Sequence, residues 1–135
     1  MAELSAEDAR KLARSFYDLA GKLGKFRFDN WTRMQDVERT ELEKIEWRLL
    51  TQSSELATRA IRISTDDLDE AIDEITRATK RMTRELQRIG DAKKVLRIAN
   101  KALRLGEALL TGNAVAIANA ASAAISAAGI DENEK

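Results

Sequence analysis

LEKIEWRLLTQSSEL at residues 42–56 and LDEAIDEITRATKRMTRELQRI at residues 68–89 decide how this chain folds. In the first stretch Leu42, Ile45, Leu49, Gln52 and Leu56 form an apolar ladder that reaches on to Ile63. In the second, Leu68, Ile72, Ile75, Thr79, Met82, Leu86 and Ile89 continue through Lys93 to Leu96. The second ladder steps by 4 and 3 throughout, which keeps one stripe turned toward a partner helix as coiled-coil seams do. Between them, Ser64-Thr65-Asp66-Asp67 supplies a hydroxyl cap followed by acids, which interact favourably with a helix N-terminus. The pattern predicts an all-α fold: a long antiparallel, coiled-coil-like helical hairpin within a four- to five-helix bundle. Turning at 64 and 65, it sets residue i opposite roughly 129 minus i.

Upstream, Ser5 and Asp8 have the spacing of a capping box with Asp in place of Glu. They precede Ala9, Leu12, Phe16, Leu19 and Leu23 at helical intervals. Gly21 and Gly24 predict the end of this first helix. Lys25-Phe26-Arg27-Phe28 then reads as a loop whose two phenylalanines tuck under the helices. Asp29 or Asn30 caps a second helix, which passes Trp31 and Met34 before the first ladder. Downstream, Gly90-Asp91 either ends the third helix or weakens it. Past it the stripe widens to Val95, Ile98, Ala99, Ala102, Leu103, Leu105 and Leu109, which indicates a change of packing partner. Thr111-Gly112-Asn113 precedes an Ala-rich segment, and Gly129-Ile130 fits a Schellman ending. Helices are expected over 5–23, 30–63, 66–89, 92–110 and 113–128 of one domain spanning 1–135, with a frayed acidic tail at 131–135.

The chain has 135 residues, 34% of them charged and 44% hydrophobic, and no proline, cysteine or histidine. Without cysteine and histidine, disulfides, thiol nucleophiles, the usual zinc ligands and Ser-His or Cys-His arrangements are excluded. No catalytic set, cofactor site or metal site is predicted. The carboxylates Asp66, Asp67, Glu70, Asp73 and Glu74 read as an acidic helix start, since they lack calcium-loop spacing. No signal peptide is visible at the N-terminus, which makes the cytoplasm the default compartment.

Net charge is zero, yet unevenly spread. Arg77, Arg81, Arg84 and Arg88 share one helical face; Lys94, Arg97, Lys101 and Arg104 form a second row. In the hairpin register Arg88 meets Glu41, Arg84 and Arg81 meet Glu46 and Glu43, and Asp69 meets Arg59 or Arg62. Intramolecular pairing is therefore preferred to nucleic acid as the purpose of the first row, whereas the row from Lys93 to Arg104 finds no acidic counterpart. After it, Ala108 to Ile130 carries no charge, a length that could span a bilayer. Its many alanines favour instead a helix packed closely on neighbours.

Trp47 lies off its ladder, and Trp31 precedes it; each either covers another helix or anchors a partner. Gln52 and Arg59 are polar positions on the seam. The candidate interaction residues are Trp31, Trp47, Arg97, Lys101, Arg104, Val115, Ile117 and Ile125. These features predict a non-enzymatic helical protein–protein interaction module, an adaptor, inhibitor or assembly component, that binds a protein partner or a second copy of itself. The alternative is a membrane-active helical protein using the basic row 93–104 and the uncharged segment 108–130.

Overall fold

A computed structural model describes residues 2–133, and side chains as far as Gly129. As the spacing predicts, Ser5 Oγ accepts the Asp8 N–H at 3.0 Å and opens α1, Ala6–Asp29. This helix does not stop at its glycines, because neither adopts a left-handed φ. Phe26 is consequently buried on its inner face while Phe28 points outward, 80% exposed. A 3-10 turn at Trp31–Arg33 follows. Then α2, Asp36–Thr58, begins where the Glu38 carboxylate accepts the Gln35 N–H at 2.9 Å.

The expected 30–63 helix is thus shorter at both ends. After Thr58 the backbone becomes extended, and Ile61, Arg62 and Ile63 alternate buried, exposed, buried, which is the period of a strand. Arg62–Ile63 (β2) pairs antiparallel with Ala2–Glu3 (β1), Ala2 opposite Ile63, and Leu4 N–H donates to Ile61 O at 2.9 Å. The hydroxyl cap expected at Ser64-Thr65 is not used: the Asp67 carboxylate accepts the Glu70 N–H and opens α3, Leu68–Leu86, two residues later than expected, and Asp91 caps α4, Ala92–Thr111. Gly90 therefore lies in a true interhelical turn. Asn113 Oδ1 accepts the Ala116 N–H at 3.0 Å at the start of α5, Ala114–Asn133. No Schellman turn forms at Gly129, since helix continues through Asp131 and Glu132. The remainder of the tail expected to fray, Glu134 and Lys135, lies outside the described residues.

The all-α class and five helices follow from the patterning, with almost no strand among the described residues. The pairing of the helices differs from the predicted hairpin. α1 packs on α2 and α3, α5 packs on α3 and α4, and α2 packs on α4, which gives the ring α2–α1–α3–α5–α4. α4 touches all four other helices, as its wide buried surface of Val95, Ile98, Ala99, Ala102, Leu103, Leu105 and Leu109 requires. α2 and α3 are not a packed pair. The first ladder is buried from Leu42 to Leu56 and the second only in its middle, since Leu68, Ile72, Ile89 and Leu96 are half-buried and Lys93 is exposed. They also face different neighbours, Leu42, Ile45, Leu49 and Leu56 toward α1 and α4, and Ile75, Met82 and Leu86 toward α1 and α5.

The connector explains why. Nine residues, 59–67, extended over part of their length, can span up to about 30 Å, far more than a tight turn. β1 holds the connector at one edge, and the α4–α5 turn holds it at its end. Ser64 N–H donates to Gly112 O at 2.8 Å, and Ser64 Oγ accepts the Ala114 N–H at 3.0 Å. Gly112 has φ 77°, and a Cβ there would stand 1.9 Å from the Arg62 carbonyl oxygen.

Gly112→Ala should therefore lower stability by at least about 2 kcal/mol, combining left-handed strain with a backbone collision. Urea denaturation checks this: the midpoint falls clearly if the connector is clamped here, and stays within error if it is not.

Candidate interaction site

The predicted cross-hairpin ion pairs are replaced by others. Glu46 binds Arg27 of α1 through two nitrogens, Nε at 2.6 Å and Nη2 at 3.1 Å, and so joins α1 to α2. This hydrogen bond, reinforced by the nearby Glu46 and Glu43 charges, raises the Arg27 pKa against the opposing effect of burial. Arg88 pairs with Glu85, Arg59 with Glu55, and Arg62 with Glu3. Arg48 on α2 reaches Glu107 on α4 at 3.2 Å.

Two polar features lie inside the bundle, one marked by the sequence and one not. Gln52 lies on the α2 seam but is not reached by solvent: it is 6% exposed and donates Nε2–H to Leu103 O at 3.0 Å. Its amide occupies the space left by Gly106, where a Cβ would stand 2.0 Å from Oε1, and Oε1 has no hydrogen-bond partner in the structure. A buried unpaired oxygen costs about 1–3 kcal/mol, so Gln52 contributes alignment of α2 on α4 more than net stability. Arg59, the other polar ladder position, is exposed past the helix end. At the α3–α4 corner, Glu85 and Lys94 are each 4% exposed, with Nζ and Oε2 3.2 Å apart, and Arg88 Nε donates to Glu85 Oε1 at 2.9 Å. The ladder spacing pointed to Lys93 on the seam, whereas the turn at Gly90 shifts the register by one and buries Lys94.

Comparison with family models, with curated proteins and with solved structures finds no match. The surface is therefore read from its own chemistry. Among the described residues the large exposed apolar side chains are Tyr17, Phe28, Trp31, Val37, Trp47 and Val115. All but Val115 belong to α1, α2 or the turn between them. Trp47 is 65% exposed, so most of its side chain is left uncovered. Trp31 sits in the 3-10 turn with Arg27 and Arg39 over its ring, their Cζ atoms 5.9 and 4.8 Å from the centroid. Arg39 also donates to the carbonyls of Trp31 and Met34 and pairs with Asp36, which fixes the turn.

Tyr17, Gly21, Gly24 and Phe28 recur at intervals of 4, 3 and 4 and so form one stripe of α1, outside its buried face. The stripe has aromatic ends and a glycine centre. Glu46 lies against Gly24, where a Cβ would come 2.9 Å from its Oε1, so Trp47 stands level with that centre. At Gly21 nothing lies within 4 Å of where a Cβ would be. The stripe continues past Tyr17 into a groove of about 510 Å³ whose walls include Arg10, Arg14, Ser53 and Ala57. The 4-3-4 recurrence was legible in the sequence, although its exposure was not.

The other candidates are scattered. Arg97 and Arg104 are exposed on α4 and Lys101 is half-buried there. Val115 is exposed on α5, and Ile125 lines a shallow α3–α5 groove with Glu74 and Arg77. Ile117 is 1% exposed and belongs to the core, so it cannot serve as a surface anchor. The uncharged run 108–130 is divided at Gly112 between two helices, and no helix among the described residues is long and apolar enough to cross a membrane.

Lys94→Met should destabilise the bundle by about 3 kcal/mol or more, because it leaves a buried carboxylate with a partly exposed partner; Glu85→Leu together with Lys94→Met should recover most of that loss. Denaturant midpoints of the single and double variants measure this, and equal losses in both would refute it.

Proposed function

We propose that this chain is a non-enzymatic interaction module that receives a helix of a partner protein on the α1–α2 face. The observation behind this reading is the glycine-centred stripe Tyr17, Gly21, Gly24, Phe28 with Trp47 exposed at its level. Glycine inside a helix costs about 1 kcal/mol relative to alanine. At Gly24 the close approach of Glu46 accounts for it; at Gly21 no neighbour requires it.

Small residues flanked by aromatics let a second helix approach closely and lodge a bulky apolar side chain between the rings. Arg10, Arg14 and Lys22, which form no ion pair among the described residues, lie on the same helix and suit an acidic flank on the partner. Aromatic anchors with a charged rim are also the composition of interface hot spots. The absence of cysteine and histidine from the whole sequence supports a binding role over catalysis. The membrane-active alternative draws less support, since Ile117, Ala121, Ala124 and Ala128 of the uncharged segment are core residues.

Gly21→Leu separates fold from function. It fills open space and improves helix propensity, so the melting temperature should hold or rise. Partner capture from lysate of the source cells, quantified against wild type, should fall at least about tenfold for Gly21→Leu and for Trp47→Ala. Equal capture of the same proteins by wild type and both variants would reject this face, and retention of both variants' losses on lipid vesicles alone would turn the reading toward membranes.

A further inference from the structure

The basic row on α4 has no role in the fold described above. Lys93, Arg97 and Arg104 are exposed and Lys101 is half-buried, at spacings of 4, 4 and 3. They line one edge of α4 for about 17 Å, at 1.5 Å per residue. None of the four makes an ion pair or side-chain hydrogen bond among the described residues. Lys93 also stands in the first turn of α4, which contains no acid, so its charge opposes the helix dipole. Four like charges held in a row without partners repel one another, and the fold gains nothing from them.

The same neutral chain carries the complementary feature. Asp69, Glu70 and Asp73 are exposed on the first half of α3 and take no part in any ion pair among the described residues. Asp69 and Asp73 are one helical step of four apart, as are Arg97 and Lys101, so two such helices laid side by side can match carboxylate to cation twice over. The two ridges belong to different helices, and no ion pair joins them among the described residues.

We infer that copies of the chain associate head to tail, the acidic ridge of α3 in one molecule docking on the basic ridge of α4 in the next. A contact between unlike faces is heterologous and builds rings or open chains instead of a closed dimer. A nucleic-acid duplex fits this edge less well. It is much wider than a helix, and the row it would follow is only one helix edge long. A single acidic helix matches that width. The inference uses neither Trp47 nor Gly21 and does not rest on the partner-binding face.

Sedimentation velocity of the full chain, over a concentration series at 50 and 500 mM NaCl, tests it. Mass above the monomer is expected at low salt, rising with concentration and lost at high salt. Arg97→Glu with Arg104→Glu, and separately Asp69→Lys with Asp73→Lys, should each weaken association roughly tenfold or more. Mixing the two variants should restore it, since each then offers the other a matched ridge. Lys44→Glu with Arg59→Glu, an equal charge change elsewhere, should neither associate with the lysine variant to that extent nor lose self-association. A monomer under all conditions would overturn the inference, as would association indifferent to the ridge variants. So would salt-dependent binding of a labelled DNA duplex by a chain that does not self-associate.

Discussion

The contact between the 61–64 connector and the α4–α5 turn sets the arrangement of the bundle. Gly112 is left-handed because the Arg62 carbonyl occupies the place of its side chain, and Ser64 then bonds both to the Gly112 carbonyl and to the first amide of α5. Residues 50 positions apart in sequence are fixed at one point. From there α3 leaves on the far side of α1 from α2, and the space between α2 and α5 is filled by α4. The pairing of every helix with its neighbours is consistent with where that connector is held.

Polar contacts then choose the register that apolar burial leaves loose. A stripe of leucines and isoleucines slides with little penalty, whereas a buried polar group in the wrong place is expensive. The Gln52 amide over Gly106, the bidentate Arg27–Glu46 pair and the buried Glu85–Lys94 pair each admit one alignment. They align α2 on α4, α1 on α2 and α3 on α4 in turn. With the interior so committed, the exposed aromatics of α1 and α2 and the unpaired bases of α4 are left facing outward. They are the residues on which the proposed contacts rest.

Much of this was legible in the sequence and some was not, for physical reasons. Periodicity identified most of the buried faces of α2, α3 and α4 and the cap at Ser5, because those depend on local spacing; at the start of α3 it read a hydroxyl cap where the Asp67 carboxylate serves. It could not say which buried face meets which, since a stripe of Leu and Ile fits any other. The charge complementarity between α2 and α3 suggested a hairpin, but surface charges are weak determinants of pairing, and Glu46 found Arg27 instead. The alternation of Ile61, Arg62 and Ile63 was a readable strand signal, hidden by the longer helical ladder that Ile63 seemed to extend. Gly21 and Gly24 resembled a helix stop because glycine fits both a C-cap and a close approach, and only the neighbours distinguish the two. The exposure of Trp47 had the same origin: its position off the ladder was visible, and what covers it was not.

The most direct test of the architecture is paramagnetic relaxation from a nitroxide on Arg48→Cys, in a chain with no other cysteine. Arg48 is 3.2 Å from Glu107 of α4 in this structure, whereas a hairpin turning at residues 64 and 65 would set it against Arg81 of α3. Outside α2 itself, the strongest broadening on α3 or α4 is expected at the amides of residues 103–110. Strongest broadening around residues 78–84, with α4 little affected, would contradict the ring order and the placement of both outward faces.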